Sequence, residues 1–143
     1  MSNEAIACIL QQEAAAVLNI PVSSGYEEAV TLIVKHVHEL GGKLITSGMG
    51  KAGQIAMNIA TTFSSTGTPT SFLHPSEAQH GDLGIVRNND IMLLISNSGK
   101  TRELIELVDL TRGLVPDMKF IVITSNADSP LAKEATVQLL TGA

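Results

Sequence analysis

A glycine-rich turn at residues 48–53 has the composition of an anion-binding loop. Gly48, Gly50 and Gly53 stand at the spacing G-x-G-x-x-G between a predicted strand and a predicted helix. The free N–H groups and the dipole of a helix N-terminus attract anions, and Lys51 adds a positive charge to the same turn. We therefore predict that Gly48, Gly50 and Lys51 contact an anionic ligand. A tight strand-to-helix turn without any ligand would use the same glycines.

Two nucleotide-binding patterns fit this turn poorly. In a dinucleotide-binding fold, the strand after the glycine turn ends in an acidic residue about 20 residues further on. This chain has Leu73, His74 and Pro75 at that place. A P-loop needs a glycine where Ile45 stands, and a Ser or Thr where Ala52 follows the lysine. What remains is a helix N-terminus that favours an anion.

A second polar turn follows the most apolar of the predicted strands. Its residues are Ser96, Asn97, Ser98, Gly99, Lys100 and Thr101. Hydroxyl and backbone N–H groups bind phosphate without burying a cation, although Ser and Thr also favour helix N-termini for capping alone. The neighbouring glycine turn favours the phosphate interpretation. Glu103 lies in the first turn of the next helix, where its position alone predicts a solvated carboxylate stabilised by the helix dipole.

Two of the four histidines, His74 and His80, lie in a polar segment at residues 74–82. A metal site needs three or four converging ligands, and this segment also carries Glu77 and Asp82 but has no HExxH spacing. We therefore predict a catalytic or substrate-binding use of the segment in preference to a structural zinc site. The other two histidines lie on a predicted helix and are predicted to be surface residues.

Strand and helix patterns alternate along the chain. Short apolar runs predict five strands, at residues 43–47, 70–73, 90–95, 119–124 and 136–140. The second helix is predicted to begin at a capping box formed by Ser24 and Glu27. Its predicted apolar face comprises Tyr26, Val30, Ile33, Val34, Val37 and Leu40.

Continuous apolar strands such as 90–95 are typical of parallel sheets that are covered on both faces. Five such strands with helical crossovers predict a doubly wound α/β sheet in one domain, residues 1–143. Ligands of such sheets bind beyond the carboxyl ends of the strands, where the strand order reverses. We expect the turns after strands 43–47 and 90–95 to meet at that point.

Composition excludes several classes of protein. The 143 residues include 9 Lys and Arg against 14 Asp and Glu, with 44% apolar and 3% aromatic residues. Dominant disorder, a basic nucleic-acid-binding surface and base stacking are therefore disfavoured. Cys8 alone cannot form an internal disulfide, and we predict that it packs as a small apolar residue. Without a leader pattern or an apolar run of about 18 residues, we predict no membrane partner and a cytoplasmic location.

Four stretches of the chain resemble the sugar isomerase (SIS) domain of arabinose-5-phosphate isomerases. They are residues 48–53, 66–69, 74–84 and 95–99, and the similarity runs from residue 42 or so to the end. The resemblance implies a flavodoxin-like, three-layer αβα sandwich with a five-stranded parallel sheet. It also implies reversible interconversion of D-ribulose 5-phosphate and D-arabinose 5-phosphate for the biosynthesis of Kdo, a sugar of lipopolysaccharide or capsule. Members are usually tetramers with active sites shared between subunits.

The resemblance also implies roles for single residues. Lys51, Glu103 and His80 match catalytic or substrate-contacting residues, which replaces the solvated-carboxylate interpretation of Glu103. Together with the two turns, the implied substrate-binding residues are Gly48, Gly50, Gly67, Thr68, His80, Ser96, Asn97, Ser98 and Thr101. His74 matches a histidine associated with zinc. Zinc there would be inhibitory, and the reaction requires no cofactor.

One departure from the family concerns the end of the chain. In the family a further segment follows the fifth strand and carries a second catalytic glutamate and a histidine in a His-Pro-Gly-Gly turn. The sequence ends at Thr141, Gly142 and Ala143, so we expect a truncated or SIS-only form without CBS modules and with two of four catalytic groups. Two alternatives stay open: a sugar-phosphate-binding module without turnover, and an incomplete product that folds poorly.

Overall fold

Five parallel strands form the centre of the structure, a computed structural model that describes residues 2–142. The strands are β1 (Leu44–Gly48), β2 (Thr70–Phe72), β3 (Ile91–Ile95), β4 (Lys119–Thr124) and β5 (Val137–Leu140). Their order in the sheet is β2-β1-β3-β4-β5, and every neighbouring pair is parallel. The order reverses between β1 and β3. The predicted doubly wound sheet is therefore confirmed, and the two polar turns follow the two strands at the reversal.

Helices cover both faces of this sheet. They are α1 (Asn3–Leu18), α2 (Gly25–Ile33), α3 (Gly50–Ser65), α4 (Pro75–Ala78), α5 (Arg102–Leu114) and α6 (Pro130–Lys133). A π-helical segment, Val34–Glu39, continues α2, and a short 3-10 turn spans Asp82–Ile85. Apolar residues of α2 and α3 form one buried cluster with the sheet, and residues of α5 and α6 form the other. The three-layer αβα sandwich is confirmed.

The position of β3 inside the sheet explains why its sequence is apolar throughout. Successive side chains of a strand point to opposite faces of the sheet. Ile91 and Leu93 belong to the cluster with α2 and α3, whereas Met92 and Leu94 belong to the cluster with α5 and α6. Since both faces are covered, every position of the strand is buried. The predicted strand bounds are accordingly correct to within one residue here.

The predicted apolar face of the second helix is correct for Ile33 and Val37 and wrong for its other members. Four of its six members, Tyr26, Val30, Val34 and Leu40, are 41–61% exposed. The sheet instead receives a stripe with a spacing of four residues, which is Ala29, Ile33 and Val37. The small side chain of Ala29 gave no strong signal in the sequence.

The capping box predicted for the same helix is also absent. Ser24 is the N-cap residue, but its side chain caps no backbone N–H group. Its hydroxyl donates instead to the carboxylate of Glu28, one residue beyond the predicted partner, at 2.9 Å. At the start of α6, by contrast, Ser129 accepts from the backbone N–H of Ala132, and Pro130 begins the helix.

Helix α1 has no buried residue. Its large apolar side chains are 44–84% exposed, and they are Ile6, Ile9, Leu10, Val17 and Leu18. Cys8 is exposed as well, so the prediction that it packs in the interior is wrong for a single copy of the chain. Among residues 2–142, no helix combines the length and the hydropathy needed to cross a membrane.

Candidate active site

The carboxyl edge of the sheet collects the two polar turns. Gly48, the last residue of β1, pairs in register with Ile95, the last residue of β3. Ile95 pairs in turn with Ile123 near the end of β4. Because parallel strands end at the same edge, the turns that follow β1 and β3 leave the sheet side by side. This is the position in which a ligand of a doubly wound sheet is expected.

The glycine turn brings the first helix of the site close to its strand. A Cβ atom on Gly48 would lie 2.8 Å from the carbonyl of Ala52, and one on Gly53 would lie 2.6 Å from the oxygen of Gly48. Gly50 has a φ of 56°, a left-handed conformation that other residues rarely adopt. Gly48 and Gly53 therefore serve close packing, and Gly50 allows the bend that aims the N-terminus of α3 along the edge.

Lys51 stands in the first turn of α3 with an exposed side chain. It forms no hydrogen bond or ion pair with any residue that the structure describes. A cation at a helix N-terminus opposes the helix dipole, so this lysine does not stabilise its own helix. It borders a groove of about 440 Å³ that Asn97 and Ile123 also line. The lysine is thus available to an anion at this edge.

The second turn is shaped by its own hydroxyls. Ser96 is only 2% exposed, and its Oγ lies 2.8 Å from Oγ1 of Thr101 while accepting from the N–H of Gly99 at 3.0 Å. Oγ of Ser98 accepts from the N–H of Lys100 at 3.2 Å. The sequence predicts that these three hydroxyls bind phosphate, and in this structure all three form hydrogen bonds within the turn.

The N-terminus of α5 is left uncapped by this arrangement. Thr101 is the N-cap residue, yet its side chain makes no capping hydrogen bond because its hydroxyl pairs with Ser96. The first N–H to be satisfied within the helix is that of Ile105, which donates to the carbonyl of Thr101. The N–H groups of residues 102–104 have no partner within the helix. They supply donors for an anion at the carboxyl edge.

The side chain of Asn97 is exposed, and the backbone carbonyl of this residue is the group that ties it to β4. Its carbonyl accepts from the hydroxyls of Thr124 (3.1 Å) and Ser125 (2.8 Å) and from the N–H of Ser125 (3.1 Å). Thr124 and Ser125 at the end of β4 were missed by the sequence analysis. A Ser or Thr after a predicted strand is the only signal that could have indicated them.

Glu103 and His80 complete the set predicted to be catalytic. Glu103 is half-buried in the first turn of α5 and His80 is exposed. Neither side chain has a hydrogen bond within the described part of the chain. Helix α4, just before His80, lies against the glycine turn, since Ser76 donates to the sulfur of Met49 at 3.9 Å. The segment with His80 is also joined to α5 by a hydrogen bond from Gln79 to Glu106.

Gly67 and Thr68 lie at the other end of the sheet. They follow α3, whose 16 residues run about 24 Å back from the carboxyl edge. They precede β2, and the hydroxyl of Thr68 is 3.0 Å from Nε2 of His38. Within one copy of the chain the structure does not bring them to Lys51. Their substrate contact stays a prediction, and it requires a second copy.

The environment of His74 does not fit a zinc site made of protein ligands. His74 is the N-cap of α4, and its ring meets Phe72 edge-on with 6.3 Å between centroids. Its Nδ1 atom is buried and has no hydrogen-bond partner within the described residues 2–142. Across residues 2–142, no three His, Cys, Asp or Glu side chains come close enough to hold a metal ion together. His74 is therefore at most one ligand of an ion that other molecules would have to complete.

The two histidines of the π-helical segment differ in exposure. His38 is exposed, as predicted, whereas His36 is half-buried. Nδ1 of His36 lies 3.2 Å from the carbonyl oxygen of Asn89. Both histidines thus contact loops at the amino edge of the sheet, away from the carboxyl edge.

Comparisons with known proteins agree with this architecture. The family model described as SIS domain matches residues 41–143. A solved structure from Bacteroides fragilis, named as a phosphosugar isomerase involved in capsule formation, is 68% identical with a TM-score of 0.95, over 96% of this chain and 72% of that chain. An Escherichia coli CFT073 protein solved in complex with A5P is 33% identical with a TM-score of 0.82, over 100% of this chain and 76% of that chain.

Curated relatives carry more specific names. Arabinose 5-phosphate isomerase KdsD of Francisella tularensis is 40% identical over 130 residues, and KpsF of Escherichia coli O6:H1 is 41% identical over 133 residues. Each match covers 91% of this chain and 39% of the relative. For KdsD of Pseudomonas aeruginosa the share of the relative is 29%, so the chain spans well under half the length of these proteins. The family match and the fold together establish that the chain belongs to the SIS domain family.

Proposed function

We propose that this chain carries an aldose–ketose isomerase site that interconverts D-ribulose 5-phosphate and D-arabinose 5-phosphate. The observation that carries the proposal is the pair Lys51 and Glu103 in the first turns of α3 and α5. These two charged side chains have no hydrogen-bond or ion-pair partner among residues 2–142. The relatives named arabinose 5-phosphate isomerase support the choice of substrate. The related protein solved in complex with A5P supports it further.

The phosphate group anchors the substrate at the start of α5. The N–H groups of residues 102–104 and the turn at 96–101 provide donors for the phosphate. Binding energy gained at the phosphate holds the two reacting carbons in place, where it lowers the entropic cost of the reaction.

Glu103 moves the proton between the two reacting carbons. In the forward direction, its carboxylate removes a proton from C1 of ribulose 5-phosphate, which leaves an enediolate. The protonated carboxyl exchanges its proton with water and then gives a proton to C2, which yields arabinose 5-phosphate. Lys51 stabilises the negative charge that develops on the oxygen. His80 assists ring opening or moves a hydroxyl proton. Since these three groups cover each proton and charge, the scheme requires no metal ion.

A direct product assay tests the proposal. The 143-residue chain is incubated with D-ribulose 5-phosphate, and arabinose 5-phosphate is measured by chromatography. The proposal predicts formation of arabinose 5-phosphate until equilibrium is reached. Thermal stabilisation by arabinose 5-phosphate without any product would contradict it and would indicate a sugar-phosphate-binding module.

We also propose that the chain works as a homo-oligomer, a tetramer as the family resemblance implies, in the cytoplasm. Two observations support an oligomer: α1 exposes its whole apolar surface, and Gly67 and Thr68 lie at the edge opposite Lys51. A second copy could cover α1 and bring its own Gly67 and Thr68 to the first copy's site. The name of the Bacteroides fragilis relative supports a role in capsule formation.

A further inference from the structure

The carboxylate of Glu106 connects α5, the helix that carries Glu103, to the segment that carries His80. Oε2 of Glu106 accepts from Nε2 of Gln79 at 2.6 Å. Its other oxygen, Oε1, accepts from Nε of Arg102 at 2.7 Å. Both oxygens of Glu106 are thus engaged, one within α5 and one across to the segment that follows α4.

The segment 79–83 has few other ties to the fold. Its remaining hydrogen bonds are local: the N–H of His80 donates to the carbonyl of Glu77, and the carbonyls of Gly81 and Leu83 accept from Gly84 and Val86. Leu83 is the only member of the segment that packs against a buried cluster. In the part of the chain that the structure describes, the contact between Gln79 and Glu106 is the one hydrogen bond from this segment to a distant element.

An open groove makes that contact more important. The groove has a volume of about 630 Å³, and it separates residues such as Gly81 and Leu83 from Asp109 and Leu110 on α5. Apolar packing holds the two ends of the segment, since Ala78 belongs to the same buried cluster as Leu107 of α5 and Leu83 packs against that cluster. The groove lies between these contacts. The hydrogen bond from Gln79 to Glu106 adds a polar contact across the groove, next to His80, to this apolar packing.

The charge state of Glu106 favours a strong bond. The hydrogen bond from Arg102 and then the one from Gln79 lower the pKa of the Glu106 carboxyl below its ordinary value. The group is therefore an ionised acceptor at neutral pH, and charge-assisted hydrogen bonds are shorter and stronger than neutral ones. Arg102 contributes by holding the carboxylate in one orientation.

We propose that Gln79 and Glu106 are positioning residues that set His80 at a fixed distance from Glu103. Gln79 is adjacent to His80 in the chain, and Glu106 lies about one helical turn from Glu103 on α5. This inference rests on the proposed isomerase function, in which His80 and Glu103 act on one substrate. Neither Gln79 nor Glu106 touches the substrate in this account.

Exchange of the two side chains tests the contact. Gln79→Glu places a second carboxylate opposite that of Glu106 across the groove. The double variant Gln79→Glu, Glu106→Gln restores an amide–carboxylate pair, with the donor now on α5 and the acceptor at position 79. We expect Gln79→Glu to lower kcat by about tenfold, with KM changed by less than about twofold, because misplacement affects the transition state more than binding. The double variant should return to within about twofold of the wild-type kcat. Asp109→Asn, which changes charge on the same groove wall, is the control and should leave kcat within about twofold.

Amide hydrogen exchange of residues 80–83 without substrate provides a second measurement. Exchange should become faster by about fivefold or more in Gln79→Glu and should return to the wild-type rate in the double variant. A kcat unaffected by Gln79→Glu, or a double variant as slow as Gln79→Glu, would overturn the proposal. A wild-type chain without isomerase activity would contradict the proposed function. In that case, amide hydrogen exchange that is unchanged in Gln79→Glu would independently overturn the positioning contact.

Discussion

At the scale of single residues, the two charged side chains proposed to be catalytic have no hydrogen-bond or ion-pair partner among residues 2–142. Lys51 opposes the dipole of its own helix, and Glu103 has no hydrogen-bond partner among residues 2–142. The glycine spacing made Lys51 visible in the sequence. An acid in the first turn of a helix is ordinary, so position alone could not predict a role for Glu103. Only the resemblance indicated it.

Replacement of Lys51 by Ala separates stability from function. We expect the free energy of unfolding to stay the same or to rise by about 0.3–1 kcal/mol, because an unfavourable charge at the helix N-terminus is removed. Turnover should fall by about a hundredfold or more, because the oxyanion loses its cation. Urea unfolding and the product assay measure the two effects, with Lys35→Ala on the π-helical segment as the control. A loss of stability in Lys51→Ala with full turnover would contradict this assignment.

Two glycines with positive φ allow a matched comparison. Gly99 has a φ of 64° and Gly50 a φ of 56°, so both positions strain an alanine by about 1–2 kcal/mol. A Cβ on Gly99 would also overlap the side chain of Ser129, whereas one on Gly50 has nothing within 4 Å. Gly99→Ala should therefore cost at least about 2 kcal/mol more than Gly50→Ala in urea unfolding. Equal losses would show that the turn does not pack on α6 as described.

At the scale of the elements, the sequence predicted those whose signal is local. Continuous apolar runs located the strands because both faces of the sheet are covered. The buried face of α2 was mispredicted because Ala29 faces the sheet while larger residues such as Tyr26 and Val30 face outward. The tie between Gln79 and Glu106 joins residues 27 positions apart. No local pattern encodes such a contact, although the Arg102–Glu106 spacing alone predicts their ion pair.

The tie between these elements should depend on pH. The pKa of Glu106 is lower in the folded chain, chiefly because of the hydrogen bond from Arg102. The contribution of Glu106 to stability is therefore fully present above the pKa that its carboxyl has in the unfolded chain. It is lost as the pH falls through the lower pKa of the same carboxyl in the folded chain. Protection factors of residues 80–83 should decrease over that acidic range. Glu106→Gln, which has no proton to gain there, should lack this step, and an identical step in the variant would contradict the assignment.

At the scale of the whole molecule, the residues predicted to contact the substrate lie at both edges of one sheet. The turns with Lys51 and Ser96 follow the carboxyl ends of β1 and β3, whereas Thr68 contacts His38 at the amino edge. The sequence predicted the fold class and the point of strand reversal, since both follow from the order and the turns of the elements. It could not predict that α1 lies exposed, because a helical apolar pattern does not specify what covers it.

The exposed surface of α1 gives a test of the oligomer. The double substitution Ile6→Ser and Leu10→Ser removes apolar side chains that are exposed in a single copy. We expect it to shift the chain toward the monomer in sedimentation velocity, because apolar burial stabilises association. Gln11→Ser on the same helix is the control and should leave the mass unchanged. A wild-type chain that stays monomeric at every concentration would contradict the proposed oligomer.

The most direct test of the central claim is solvent exchange at the reacting carbons. D-Ribulose 5-phosphate is incubated with the chain in D₂O, and proton NMR follows the C1 position of the substrate and the C2 position of the product. An enediolate formed by Glu103 predicts arabinose 5-phosphate with deuterium at C2, and loss of both exchange and product in Glu103→Gln. Unchanged exchange in Glu103→Gln, or wild-type chain that binds the sugar phosphate with neither exchange nor product, would contradict the account.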